Sequence, residues 1–130
     1  MQISLDSLRI FVAQLGARPG MWLGPSMSLR TFAAAVVGYE TALRDVGVVP
    51  LLPIGRQFSE WLCTEWKVSR IVGWEAHVEE RFGNDTDAIA EAAKLIEQWF
   101  RVRDLTAYRA SQAIHIYLQN LAPPQQWTHR

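Results

Sequence analysis

Seven residues, Arg18 to Gly24, reading RPGMWLG, limit what this chain can fold into more than any other stretch. Pro19 fixes its own φ and disfavours helix at Arg18, while Gly20 and Gly24 open backbone angles closed to other residues. The stretch therefore reads as a compact turn between two amphipathic segments. Met21, Trp22 and Leu23 are too apolar for water, so the turn is expected to tuck against the core with Trp22 as its plug. Gly20 is expected to hold a positive φ or a place where a β-carbon would clash, so that Gly20→Val costs about 1–3 kcal/mol.

The segments around the turn carry helical periodicity. Leu5, Leu8, Val12 and Leu15 form one stripe, with Ser4 as cap and Gly16 as stop. Ser26 or Ser28 can cap a second helix lined by Leu29, Phe32, Val36, Val37 and Leu43, which Gly47 ends. Val48 to Gly55 carries two prolines and a glycine. It reads as an ordered connector held down by Leu51, Leu52 and Ile54, with room for a short strand. Phe58, Trp61, Leu62 and Trp66 mark a third helix over Arg56 to Lys67. Ile71, Trp74, Val78 and Phe82 mark a fourth, with Ser69 as candidate cap. After the Gly83–Asn84 stop, Asp85, Thr86 and Asp87 suit a helix start. Ile89, Ala92, Leu95, Ile96, Trp99 and Phe100 follow at helical spacing. Asp104 can cap a last helix through Leu105, Tyr108, Ile114, Tyr117, Leu118 and Leu121, which Pro123 and Pro124 forbid from continuing. The expectation is an all-α fold, one domain of five to six packed helices over residues 1–122 with a flexible tail over 123–130. Trp22, Phe32, Trp61, Trp66, Trp74 and Trp99 are expected inside.

Charge and cysteine usage narrow the function classes. Thirteen basic residues balance thirteen acidic ones, so no global field would draw the protein to nucleic acid or an anionic membrane. Cys63 is the single cysteine, which excludes an intrachain disulfide and a multi-cysteine zinc site and fits the reducing cytoplasm. No apolar run is long enough to span a bilayer. No cofactor is called for by any spacing in the chain.

Candidate chemistry is sparse. Glu75, His77, Glu79 and Glu80 lack the HExxH spacing and read as a solvated acidic helix face rather than a metal site. Cys63 sits in an apolar helix with no adjacent histidine or glycine elbow, so it reads as an inert thiol. His115, between two isoleucines, reads as a packed or partly exposed residue rather than a ligand. Gly16, Gly20 and Gly24 lack the lysine and hydroxyl of a phosphate loop. What remains is a surface: Glu60, Glu65, Glu75, Glu79 and Glu80, interleaved with Trp61, Trp66 and Trp74. Aromatic anchors rimmed by charge have the composition of interface hot spots, with Trp61 and Trp74 as candidate anchors.

The RPGMWLG turn followed by SLRTFAAAVVGY, a tryptophan-rich middle and the Gly73–Trp74 pair resembles a group of small bacterial helical proteins with RPGMY-type turns. That group includes immunity proteins of polymorphic toxin systems. Trp22 stands where tyrosine is usual. The resemblance implies a non-catalytic protein that neutralises a cognate toxin. The same turn is also similar to one in type II topoisomerase ATPase domains, but the following helix has no asparagine for magnesium and no DxGxG motif follows, so that reading falls. The alternative is a helical ligand-binding domain or enzyme with a tryptophan-lined pocket.

Overall fold

The computed structural model describes residues 4–48 and 53–121. Leu51 and Leu52 of the expected connector, and the tail over 123–130, lie outside the described residues. Among those described there is no strand, and the all-α expectation is met with six α-helices: α1 (Leu5–Ala17), α2 (Pro19–Leu23), α3 (Leu29–Asp45), α4 (Ser59–Trp66), α5 (Trp74–Phe82) and α6 (Thr86–Leu121). A 3₁₀ turn, Gly24–Ser26, follows α2, and a wide π-helical turn, Pro53–Phe58, leads into α4. The chain divides into two units, the first ending at Trp99 and the second beginning at Phe100, within α6.

Short polar side chains start α1, α3 and α6 where their sequence positions suggest. The Ser4 amide donates to Ser7 Oγ at the head of α1. Ser28 and Thr31 cap α3 reciprocally, Ser28 N to Thr31 Oγ1 at 2.8 Å and Thr31 N to Ser28 Oγ at 3.2 Å. Asp85 Oδ1 accepts the amides of Asp87 and Ala88 at the start of α6. Gly47 and Gly83 take positive φ just past the ends of α3 and α5, where an L side chain would be strained.

The RPGMWLG stretch corrects its reading. Pro19 is preorganised for the first turn of a helix, so the stretch winds into α2 instead of a plug. A single turn buries little, and Met21 and Trp22 are exposed, Trp22 by 49%. Gly20 has no positive φ, and a β-carbon there would stand 3.6 Å from Met27 Sδ, an ordinary contact. The special conformation belongs to Gly24, with φ 71°. Gly16 does not stop α1, which runs one residue further to Ala17, with Arg18 as its C-cap before the proline. Instead Gly16 lets α1 lie against α6, where any β-carbon would overlap the Ala93 methyl group. Arg9 and Glu97 lock the same pair of helices, Arg9 Nε donating to both carboxylate oxygens at 2.9 and 3.1 Å. Gly16→Val is therefore expected to cost about 1–3 kcal/mol through overpacking. Equilibrium urea unfolding checks it, with Gly20→Ala as a control expected to stay within about 1 kcal/mol of the parent.

The core of the first unit is aromatic at its centre. Phe58 is wholly buried and meets Trp74 edge-on at 5.8 Å, Trp99 at 6.0 Å and Trp61 at 6.0 Å, while Phe32 meets Trp74 at 6.3 Å. Leu8, Val12, Leu15, Leu29, Val36, Leu62, Val78, Ile89 and Ile96 are buried with them. Trp61 and Trp66 are half-buried, and Val37, expected inside, is exposed. One acid lies in this interior. Glu40 is wholly buried, its Oε2 accepting the Ile54 amide at 2.8 Å and its Oε1 the Gly55 amide at 3.1 Å. It thus ties α3 to the π-helical turn, whose amides have no regular α-helical partners. Burial pushes its carboxyl above the ordinary value, and the two amide donors oppose that rise.

Two expected helix starts do not occur. Ile71 is almost fully exposed and α5 begins three residues later, with Gly73 rather than Ser69 at its N-cap. Asp104 lies inside α6, because no glycine or proline interrupts the chain between Gly83 and Pro123. The two expected final helices are one, 36 residues long. Every residue from Arg101 to Leu121 is exposed.

Candidate protein-binding surface

The glutamates expected to form one acidic face fall into separate settings. Glu75 and Glu79, one turn apart on α5, are half-buried and share the field of Arg30 from α3. Arg30 Nη2 donates to Glu79 Oε1 at 3.1 Å. Burial raises the Glu75 carboxyl, the neighbouring Glu79 charge raises it further, and Arg30 opposes them. Glu60, on α4, lies 3.7 Å from Arg56 Nε, one turn earlier. It borders an open hollow of about 200 Å³ with Arg56, Ser59, Cys63, Arg70 and Gly73. Glu80 borders a second hollow of about 270 Å³ with Trp66, Val68, His77 and Arg81. Glu65 is exposed on α4.

The aromatic candidates part company. Trp74 is 4% exposed and packs between Phe32 and Phe58, so it cannot anchor a partner without unfolding the core, and the expectation that it does is corrected. Trp61 keeps part of its surface while packing on Phe58. Trp66, expected inside and interleaved with the acids, lies under the Arg81 guanidinium, which stands 3.8 Å from its ring centroid. The basic members Arg30, Arg56, Arg70 and Arg81 were not singled out in the sequence. Only Arg56–Glu60, at i,i+4 spacing, carried a local signal.

His77 also departs from the solvated face expected of it. It is buried, and its Nε2 lies 2.8 Å from the Ser69 carbonyl, to which the N–H of that nitrogen donates. The Cys63 thiol, buried as expected, donates to the same carbonyl at 3.5 Å. These two bonds hold the segment between α4 and α5, in which Lys67 takes a left-handed conformation at φ 54°. Among the described residues no group of three or more His, Cys, Asp or Glu side chains is placed to hold a metal ion, and no helix is long and apolar enough to cross a membrane. Comparison with protein-family models, with curated proteins and with solved structures gives no match to this chain.

Proposed function

We propose that the protein binds one basic protein partner stoichiometrically through the carboxylates of α4 and α5, and that the partner is a toxin whose activity is masked in the bacterial cytoplasm. The toxin comes from the resemblance of the RPGMWLG–SLRTFAAAVVGY stretch to immunity proteins. The observation that carries the surface is the Glu75–Glu79 pair: two half-buried acids share one arginine, and burial, with the neighbouring Glu79 charge, holds the Glu75 carboxyl up. A cation supplied by a partner favours the charged form of both acids and so offsets the burial and the like charge. Glu65 and Glu80 are exposed and extend the negative field, which speeds association with a basic surface. Trp61 supplies apolar area beside Glu60. Of the tryptophans that could line a ligand pocket, Trp74 and Trp99 are packed into the core.

Replacing both Glu65 and Glu80 with lysine is expected to slow association with the toxin encoded beside this gene by at least about tenfold, while thermal stability stays within about 0.5 kcal/mol. Surface plasmon resonance at low and high salt reads both the rate and its screening. Unchanged association by the doubly reversed protein overturns this surface. Failure of the parent protein to bind or protect against that toxin overturns the partner.

A further inference from the structure

Positions of α6 at alternating three- and four-residue steps, Ile89, Ala93, Ile96, Phe100, Arg103, Ala107, Ala110, Ile114, Tyr117 and Leu121, are apolar apart from Arg103. That is a heptad seam, sustained through four repeats. Ile89, Ile96 and Phe100 are buried, whereas Ile114, Tyr117 and Leu121 are each about 60% exposed. Leu118, beside the seam, is 57% exposed. A lone helix gains most of its stability from packing an amphipathic face, and Ile114, Tyr117, Leu118 and Leu121 leave such a face uncovered among the described residues.

We infer that the distal part of α6 pairs with the same segment of a second copy, antiparallel, about a two-fold axis near residue 112. The order of large and small residues carries the assignment. In that register Ala107 faces Tyr117 and Ala110 faces Ile114, with each contact repeated by symmetry, so Tyr117 and Ile114 each meet a methyl group and the central layers fill evenly. Arg103 faces Leu121 and reaches the last turn of the opposing helix, whose carbonyl end favours a cation. A parallel pair does the reverse: it sets alanine on alanine, tyrosine on tyrosine and Arg103 on Arg103, leaving thin layers, bulky layers and a like-charge contact. The antiparallel seam from Arg103 to Leu121 is about 27 Å long. It is smaller than the roughly 800 Å² per partner of a standard interface, so the dimer is expected to form across the micromolar range rather than below it.

Sedimentation velocity on the full chain tests this. The parent is expected to shift from monomer to dimer with concentration. Ile114→Ala, which leaves a void, and Ala110→Ile, which sets two isoleucines against each other, are each expected to weaken the dimer by about tenfold. The double variant A110I/I114A exchanges the sizes and is expected to recover most of the loss. Nitroxide labels on Gln119→Cys distinguish the directions, standing about 20 Å or more apart in the antiparallel pair and side by side in a parallel one. Native Cys63 is buried and serves as the unlabelled control. A parent that stays monomeric at every concentration, a double variant no better than the singles, or adjacent labels each overturns the inference. All these substitutions lie on exposed positions of α6, so a circular dichroism melt matching the parent separates lost association from lost fold.

Discussion

Phe58→Ala is expected to lower the unfolding free energy by about 3–5 kcal/mol. The ring is fully buried and is the common neighbour of Trp61, Trp74 and Trp99, three indoles delivered by α4, α5 and α6. Truncation removes the ring's own burial and also three edge or tilted aromatic contacts, each worth about 0.5–1.5 kcal/mol beyond area. The cavity cannot close easily, because tryptophan rings on three elements would have to move together. Phe58→Leu, which keeps most of the volume, is expected to lose less than half as much. Urea unfolding followed by tryptophan fluorescence reads both values. A loss under about 1 kcal/mol for the alanine variant would show that the aromatic centre is not what holds the first unit together.

Glu40→Ala is expected to cost about 2–4 kcal/mol, because it strands the buried amides of Ile54 and Gly55 without an acceptor. The wild-type residue also gives a pH dependence of definite sign. Its carboxyl is raised in the folded state, so between the ordinary carboxylate value and the raised one the native protein holds a proton that the unfolded chain has released. Unfolding free energy therefore falls as pH rises through that window, and Glu40's contribution is fullest below it. Glu40→Gln keeps one acceptor and cannot ionise. It is expected to be more stable than the alanine variant and to lack Glu40's part of the pH slope. The slope is read as the difference between parent and variant, since Glu75 is raised as well and titrates in both. If parent and glutamine variant keep parallel stability curves from mildly acid to neutral pH, Glu40 stays ionised in the folded protein and the sign is wrong.

These two residues show where sequence reading stops. Phe58 stood on a helical stripe with Leu62, and that stripe is buried, because three-and-four spacing leaves an apolar face that water penalises wherever it goes. Glu40 sat in the same kind of pattern and carried no mark of being interior. Its partners are the amides of Ile54 and Gly55, fourteen and fifteen residues away, and only the path of the chain brings them together. The same division runs through the candidate surface. That α5 presents acids followed from its composition, whereas the Arg30–Glu79 pair, 49 residues apart, and the burial of Trp74 depended on how α3, α4 and α5 pack.

By itself the sequence determined the helical class, a serine cap for α3 at Ser26 or Ser28, a polar start for α6 over Asp85 to Asp87 and the glycine stops at Gly47 and Gly83, because these are set by interactions within a few residues. Tertiary structure decided which apolar residues are covered. Trp22 and Trp74 are chemically equal, yet one lies exposed on a single helical turn and the other between Phe32 and Phe58. It decided, too, that Gly16 rather than Gly20 is the glycine whose missing side chain matters, since the atom in the way is the methyl of Ala93, 77 positions along the chain. Local propensity chooses the element. Burial and close approach depend on neighbours supplied by distant segments, and no residue carries their identity in its own side chain.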